Sequence, residues 1–360
     1  MSKYLKLFET TSQYNEYITS IDVVLPNVSV AKDALTTVYF NPYDYSEDYL
    51  TLSALEDGEI TITIPSDVNA THATYLSYSK DKSNWVETTI DSTNQTITIP
   101  VSAGEDVYLK GKAKQWATGQ WWNGSIINSS ANIIVSGNIM SLLYGDDFKN
   151  KTIFPDNSQY VFKDLFKENT HLVNAENLIL PATTLVKYCY YQMFQNCSSL
   201  KTAPALPATT LASNCYYRIF HGCSSLKVAP ALPATTLASN CYHEMFRGCS
   251  SLTTAPELQA TTLADWCYYR MFYDCSSLTT APELPAATLA QNCYREMFYN
   301  CSKLNSITML ATDISADSCL RDWVTGVAST GTFVKNSAAT WNVTGVNGIP
   351  SGWTITTASA

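Results

Sequence analysis

The apolar positions of this chain obey two different periods. Over residues 49–113 they alternate with polar ones in short runs: "YLTLSAL", "GEITITIP", "TYLSYS", "WVETTI", "TITIPV" and "DVYLKGKA". Gly, Asp, Asn and Ser separate the runs. A period of two marks half-buried strands, so this stretch predicts a small antiparallel β-sandwich. Further along, the pattern becomes a long repeat. Cys189, Cys215, Cys241, Cys267, Cys293 and Cys319 follow one another at 26 residues, as do Cys197, Cys223, Cys249, Cys275 and Cys301. Phe194, Phe220, Phe246, Phe272 and Phe298 keep the same step.

Within one unit, "TTLASNCYYRIFHGCSSL", Thr210 is a candidate N-cap and Leu211 the start of a helix. Asn196, Gly222, Gly248, Asp274 and Asn300 would close the helix, being residue types that tolerate the left-handed conformation. At 100° per residue, Leu211, Ala212, Tyr216, Ile219 and Phe220 gather around Cys215 as a core face. The positions that change between copies fall outside it and are expected to face solvent. They include Tyr191, Tyr217, His243, Tyr269 and Arg295, and then Gln192, Arg218, Glu244, Arg270 and Glu296. A short strand should follow in "CSSLKVAP" and stop at Pro204, Pro230, Pro256 or Pro282. Stacked strands sit about 4.8 Å apart and packed helices about 8–10 Å. That mismatch predicts a curved α/β solenoid of the leucine-rich-repeat kind, with concave strands and convex helices.

The array frays at both ends. Asn169 stands where a cysteine would be, and Trp323 and Val324 replace the Met-Phe pair. The domain plan is an N-terminal docking arm over 1–48, the β-sandwich and its linker over 49–150, the solenoid over 151–325 and a C-terminal β cap over 326–360. "ANIIVSGNIMSLLYG" joins sandwich to solenoid.

The repeat "MFQNCSSLKTAPALPATTLASNCYYRIF" resembles the BspA-like leucine-rich repeats, a family of bacterial cell-surface and related proteins. The N-terminal "LFETTSQYNEYITSIDVVLPNVSVAKD" looks like the leader of virion proteins of tailed phages of gut anaerobes. These resemblances imply a non-enzymatic virion protein: a head fibre, tail fibre or decoration protein. It would attach to other virion proteins through residues 1–48 and present its repeats to a host glycan or protein, or to further copies of itself. The alternative is a bacterial cell-surface adhesin. Charged residues interrupt "MSKYLKLFETTSQ" before a signal-peptide core can form, so the expected place is a virion made in the host cytoplasm.

Charge and composition narrow the classes. A net charge of −9 argues against nucleic acid or an anionic membrane as partner. No apolar run is long enough to span a bilayer. The paired cysteines suggest metal first, but ends of one helix about 12 Å apart suit neither a shared zinc nor a disulfide. Equivalent cysteines of adjacent units could lie close enough to bridge, but buried free thiols are the expectation, with no cofactor and no metal. His72, His171, His221 and His243 have no ligand or triad spacing, and no phosphate loop occurs. The candidate binding surface is then Tyr191, Tyr217, Arg218, His221, His243, Arg247, Tyr269, Arg270, Tyr273 and Tyr299, with Trp121 and Trp122 near Trp116. Such side chains can stack on sugars or anchor a protein interface.

Overall fold

The computed structural model describes residues 4–6, 39–41, 45–64, 76–88, 96–113 and 124–358, the first two as backbone strands only. The expected docking arm therefore lies outside the described residues, apart from the antiparallel pair β1 (Tyr4–Lys6) and β2 (Tyr39–Asn41) and the 3-10 turn Tyr45–Glu47. Trp116, Trp121, Trp122 and His72 lie outside them as well.

Each alternating run yields one strand: β3 (Leu50–Ala54), β4 (Gly58–Thr63), β5 (Leu76–Ser79), β6 (Val86–Thr88), β7 (Thr96–Val101) and β8 (Asp106–Gly111). Alternation sends Leu50, Leu52, Ile60, Ile62, Val107 and Leu109 into a common core. The joining stretch contributes two further strands, β9 (Ile126–Ser129) and β10 (Ile133–Asn138). One sheet runs β7-β4-β9. In the other, β6, β5, β8, β3 and β10 lie side by side, all antiparallel.

β10 is where the β-domain becomes the repeat array. Its far edge pairs in parallel with β11 (Leu172–Asn174) and β12 (Leu178–Ile179), strands of the first repeat. Gly137, paired with Leu178 of β12, lets Tyr49 approach β10 closely. Its φ is +79°, and a Cβ there would sit 1.9 Å from the Tyr49 carbonyl oxygen. Asn169, the residue in place of a cysteine, is buried and donates from Nδ2 to the Ile127 carbonyl of β9, while its Oδ1 accepts from Ser129. The irregular first unit is thus shaped to the β-domain.

The repeats hold a correction. The chain between Thr184 and Cys197, and its equivalents, is a run of turns and not a helix. Among the described residues the one α-helix is the short α1 (Ser141–Tyr144) ahead of the repeats. Every fourth residue of the run is left-handed: Tyr188, Gln192 and Asn196 have φ of 59°, 56° and 60°. Asn214, Arg218 and Gly222 repeat the pattern, as do Asn240, Glu244 and Gly248. The backbone N–H groups then take turns. Those of Cys189, Tyr191, Met193, Gln195 and Cys197 donate three residues back within the unit. Those of Tyr188, Gln192 and Asn196, and of Tyr190 and Phe194 between them, donate to carbonyls of the next unit, at Ser213, Tyr217, His221, Cys215 and Ile219.

The closing positions expected to be left-handed are so. The array is repeat-rich and strand-dominated, with almost no helix. A left-handed residue other than glycine costs about 1–2 kcal/mol. Five inter-unit hydrogen bonds at about 0.5–1.5 kcal/mol each are of the same size. A unit without its neighbour would keep the cost and lose the compensation, which is why this backbone exists only as a stack.

The other side of each unit is hydrogen-bonded as well, through single parallel bridges such as Asn174↔Thr202, Thr184↔Thr210, Val228↔Thr254 and Leu232↔Leu258. Thr210 therefore pairs with Thr184 and caps no helix. Equivalent rings stack at 5.4 to 5.8 Å along the row Phe166, Phe194, Phe220, Phe246, Phe272 and Phe298. Both sides of the array advance at a strand-like step, so the spacing mismatch from which concave strands and convex helices were expected is absent. The array ends in three parallel strands, β13 (Ser306–Met309), β14 (Thr332–Lys335) and β15 (Thr354–Thr357). Three indole N–H groups rivet this end: Trp323 to the Gly348 carbonyl, Trp341 to Ala311 and Trp353 to Ala328.

All eleven cysteines are buried free thiols. Cys223, Cys249, Cys275 and Cys301 each donate S–H to the Phe carbonyl 29 residues earlier, at 3.0 to 3.1 Å, so this ladder ties units together. Burial pushes the Cys215 and Cys267 thiols up to about 12. A thiolate, the form that binds metal or exchanges with disulfides, is disfavoured there.

Gly222→Ala is expected to lower stability by about 1–2 kcal/mol, the penalty of a left-handed alanine. The position has φ +73°, and a Cβ would lie 2.3 Å from Asn196 Oδ1. Urea unfolding midpoints of the two proteins measure it, and an unchanged midpoint would remove the constraint.

Candidate functional site

The four-residue turn decides which side chains reach the outside. Positions 189, 190, 193, 194 and 197 point inward and are buried in every central unit. Positions 191, 192 and 195 and their equivalents form three rows along the opposite side of the same backbone, here called the turn wall. The first row is Tyr191, Tyr217, His243, Tyr269 and Arg295. The second is Gln192, Arg218, Glu244, Arg270 and Glu296. The third is Gln195, His221, Arg247, Tyr273 and Tyr299.

Ten of the twelve sequence-predicted residues thus converge on one wall. Their exposure differs from expectation. Tyr191, His243 and Tyr269 are buried, and Tyr217, Arg218, His221, Arg247, Arg270, Tyr273 and Tyr299 are half-buried. The rows lie flush because each side chain packs on its equivalent one unit away. Tyr191 stacks on Tyr217 at 4.7 Å, Tyr217 on His243 at 4.4 Å and Tyr273 on Tyr299 at 4.7 Å. His243 continues to Tyr269 at 4.6 Å, and the Arg247 guanidinium covers Tyr273 at 4.6 Å. Most ring faces are consumed inside the rows, so stacking on sugars, the role expected of these aromatics, finds little open face here. What the wall offers outward is edges: phenol hydroxyls and guanidinium N–H groups.

The second row is a line of charges that alternate in sign. Glu244, with a side chain only 2% exposed, sits at its centre. It accepts from Arg218 Nε at 2.9 Å and Arg247 at 3.1 Å, with Arg270 at 3.7 Å and His243 Nε2 at 3.6 Å. Arg270 donates in turn to Glu296 at 2.8 Å. Burial opposes the charge on Glu244. The nearby His243 ring, the Arg218 hydrogen bond and the neighbouring cations outweigh it and hold the carboxyl well below the usual range. Glu244 and Glu296 stand outside the sequence-predicted surface because only aromatic and basic side chains were selected from the variable positions. The signal was the alternation Arg218, Glu244, Arg270, Glu296 at the 26-residue step, which only parallel in-register stacking turns into contacts.

His221 is pulled down to about 4, first by burial and then by Arg218 and Arg247, with Glu244 opposing. An unfolded histidine titrates near 6.5. Between about pH 6.5 and 4 the unfolded chain therefore binds the extra proton, so His221's contribution to stability is complete above 6.5 and is lost as pH falls toward 4. Replacing His221 by Gln, the residue of the preceding copy, is expected to flatten the pH dependence of the denaturation midpoint in that window. An unaltered slope would contradict it.

Among the described residues, no group of three or more His, Cys, Asp or Glu side chains is placed to hold a metal ion. Among the same residues no helix is long and apolar enough to cross a membrane.

The family comparison meets this geometry at the repeats. The model of the BspA type leucine rich repeat region matches in six copies, over residues 141–255 and 233–320. No curated protein and no solved structure matches the chain. The two matched stretches overlap and run together from 141 to 320, 180 of 360 residues. With half its length in that region, stacked unit on unit, the chain belongs to the BspA-type leucine-rich repeat family.

Proposed function

We propose that the protein is a non-enzymatic contact protein whose turn wall meets a partner surface. The observation that carries this is the division of labour within each unit. Inward letters stay nearly constant from copy to copy, while the letters of the three outer rows change and join into one polar wall. A scaffold needs the first property, and a surface tuned to a partner needs the second. The family points the same way, toward adhesion or repeat-mediated contacts.

In its finer form the proposal is a fibre or decoration component of a phage virion. Residues 1–48 attach it to other virion proteins, and the repeat solenoid reaches toward the host surface or toward neighbouring subunits. Its support is the likeness of the N-terminal stretch to virion leaders. Mass spectrometry of purified particles should find the chain in stoichiometric amount, and its absence would overturn the assignment. The second reading, a bacterial surface adhesin, rests on the repeat family alone. It predicts that protease added to intact cells degrades the chain.

A further inference from the structure

The chain contains five arginines, Arg218, Arg247, Arg270, Arg295 and Arg321, and all five fall on the outer rows of the repeat. In a protein of net charge −9 that concentration is a local inversion of sign. We infer that the part of the turn wall around Arg218, Arg247 and Arg270 binds an anionic polysaccharide, one bearing carboxylate or sulfate groups; this rests on the contact reading above and names its ligand class.

The argument begins with charge. Three guanidiniums converge on the single buried carboxylate of Glu244. In the three outer rows Arg218, Arg247, Arg270 and Arg295 face Glu244 and Glu296, an excess of two positive charges. Two acids stand beside these rows, Asp265 accepting from the Gln291 backbone N–H and Asp274 from Asn300, neutral donors that orient the carboxylates and leave them charged. The cations retain unused donors. Arg218 gives only Nε to Glu244, and Arg247 gives only one terminal nitrogen. A guanidinium has five N–H donors in a fixed fork that matches carboxylate or sulfate oxygens in pairs. Both side chains are 28% exposed, enough to reach a ligand while held in place by Tyr217 and Tyr273.

The choice of polysaccharide over an acidic protein follows from what the wall lacks. Stable protein interfaces bury an apolar centre. None of the large exposed hydrophobics (Leu55, Val86, Ile153, Val228, Val343, Val346 and Ile355) lies in these rows. Most ring faces are taken up by the stack, so an apolar anchor finds little open face. Polar side chains recur at unit steps along the rows, with Arg218 and Arg270 two units apart in the second, and a polymer with acid and hydroxyl groups at regular intervals can follow that spacing.

The test uses the full chain in low-salt buffer with four probes: heparin, polygalacturonate, neutral dextran and poly-glutamate. Titration calorimetry should show binding to heparin or polygalacturonate that weakens with added salt, and none to dextran. Arg218→Gln with Arg247→Gln should weaken it about tenfold or more, the loss of charge-assisted bonds, while Arg321→Gln, at an exposed site beyond the cluster, should leave it unchanged. If the double variant melts early, Arg247→Gln alone, which breaks one hydrogen bond, serves in its place. Binding to poly-glutamate but to neither polysaccharide would overturn the inference, as would binding to none or a loss confined to Arg321→Gln. If the protein adheres to its particle or cell and the double variant adheres equally well, the contact reading stands and this site falls.

Discussion

Replacing Phe246 by alanine is expected to lower the unfolding free energy by about 3–5 kcal/mol, the cost of deleting a buried aromatic whose site cannot collapse. The ring is fully buried and lies between Phe220 at 5.8 Å and Phe272 at 5.7 Å. Its backbone is pinned from both sides: the N–H donates to the Met271 carbonyl, and its own carbonyl accepts from the Cys275 thiol. Neighbouring units cannot close over the gap without breaking those rungs. Urea denaturation followed by circular dichroism measures the loss, with Tyr273→Ala on the outer wall as the comparison that should lose much less. A change under about 1 kcal/mol would show that the Phe row is not the core of the stack.

Glu244→Gln is expected to cost about 3 kcal/mol, the low end for breaking a buried ion network. The low end applies because Arg218, Arg247 and Arg270, left without their shared counter-charge, are 28% exposed and can recover some hydration. Removing both Glu244 and Arg218 should cost less than the sum of the single losses, since the first change already leaves Arg218 unpaired. A double-mutant cycle on denaturation midpoints reads that coupling. Additive losses would mean that the charges are independent surface groups, as their variability between copies suggested.

The β-domain was legible strand by strand, because a half-buried strand leaves an alternating trace in its own sequence. β9 and β10 were harder to see. "SANIIVSGN" reads as a connection because β10 is buried on most of both faces and so carries little polar alternation. In the repeats, core membership was legible and backbone conformation was not. A coil with one left-handed residue in four repeats its inward side chains at i and i+4, which is also the spacing of a helix face. Cys215, Ile219 and Cys223 fit either. Asn196, Gly222 and Asp274 announced their left-handed backbone by type, whereas Tyr188, Gln192, Arg218 and Trp266 take up the same conformation without any such preference. Their conformation is imposed by carbonyls of the next unit, which local propensity cannot report.

The candidate wall divides in the same way. Its members were readable as the variable letters of a 26-residue repeat, because a residue that packs inward in every unit is held constant by its neighbours' shape. Whether those letters stood apart in solvent or stacked on one another depended on the rise between units. A helical stack at about 8–10 Å would have left Tyr191 and Tyr217 separate. The hydrogen-bonded step closes them to 4.7 Å and brings Arg218 to Glu244. Sequence by itself determined the units, their register and their inward residues, since these are properties of one copy compared with the next. Tertiary structure alone decided the distance between copies, because that distance is set by which backbone groups remain unpaired within a unit and must find partners in the adjoining one.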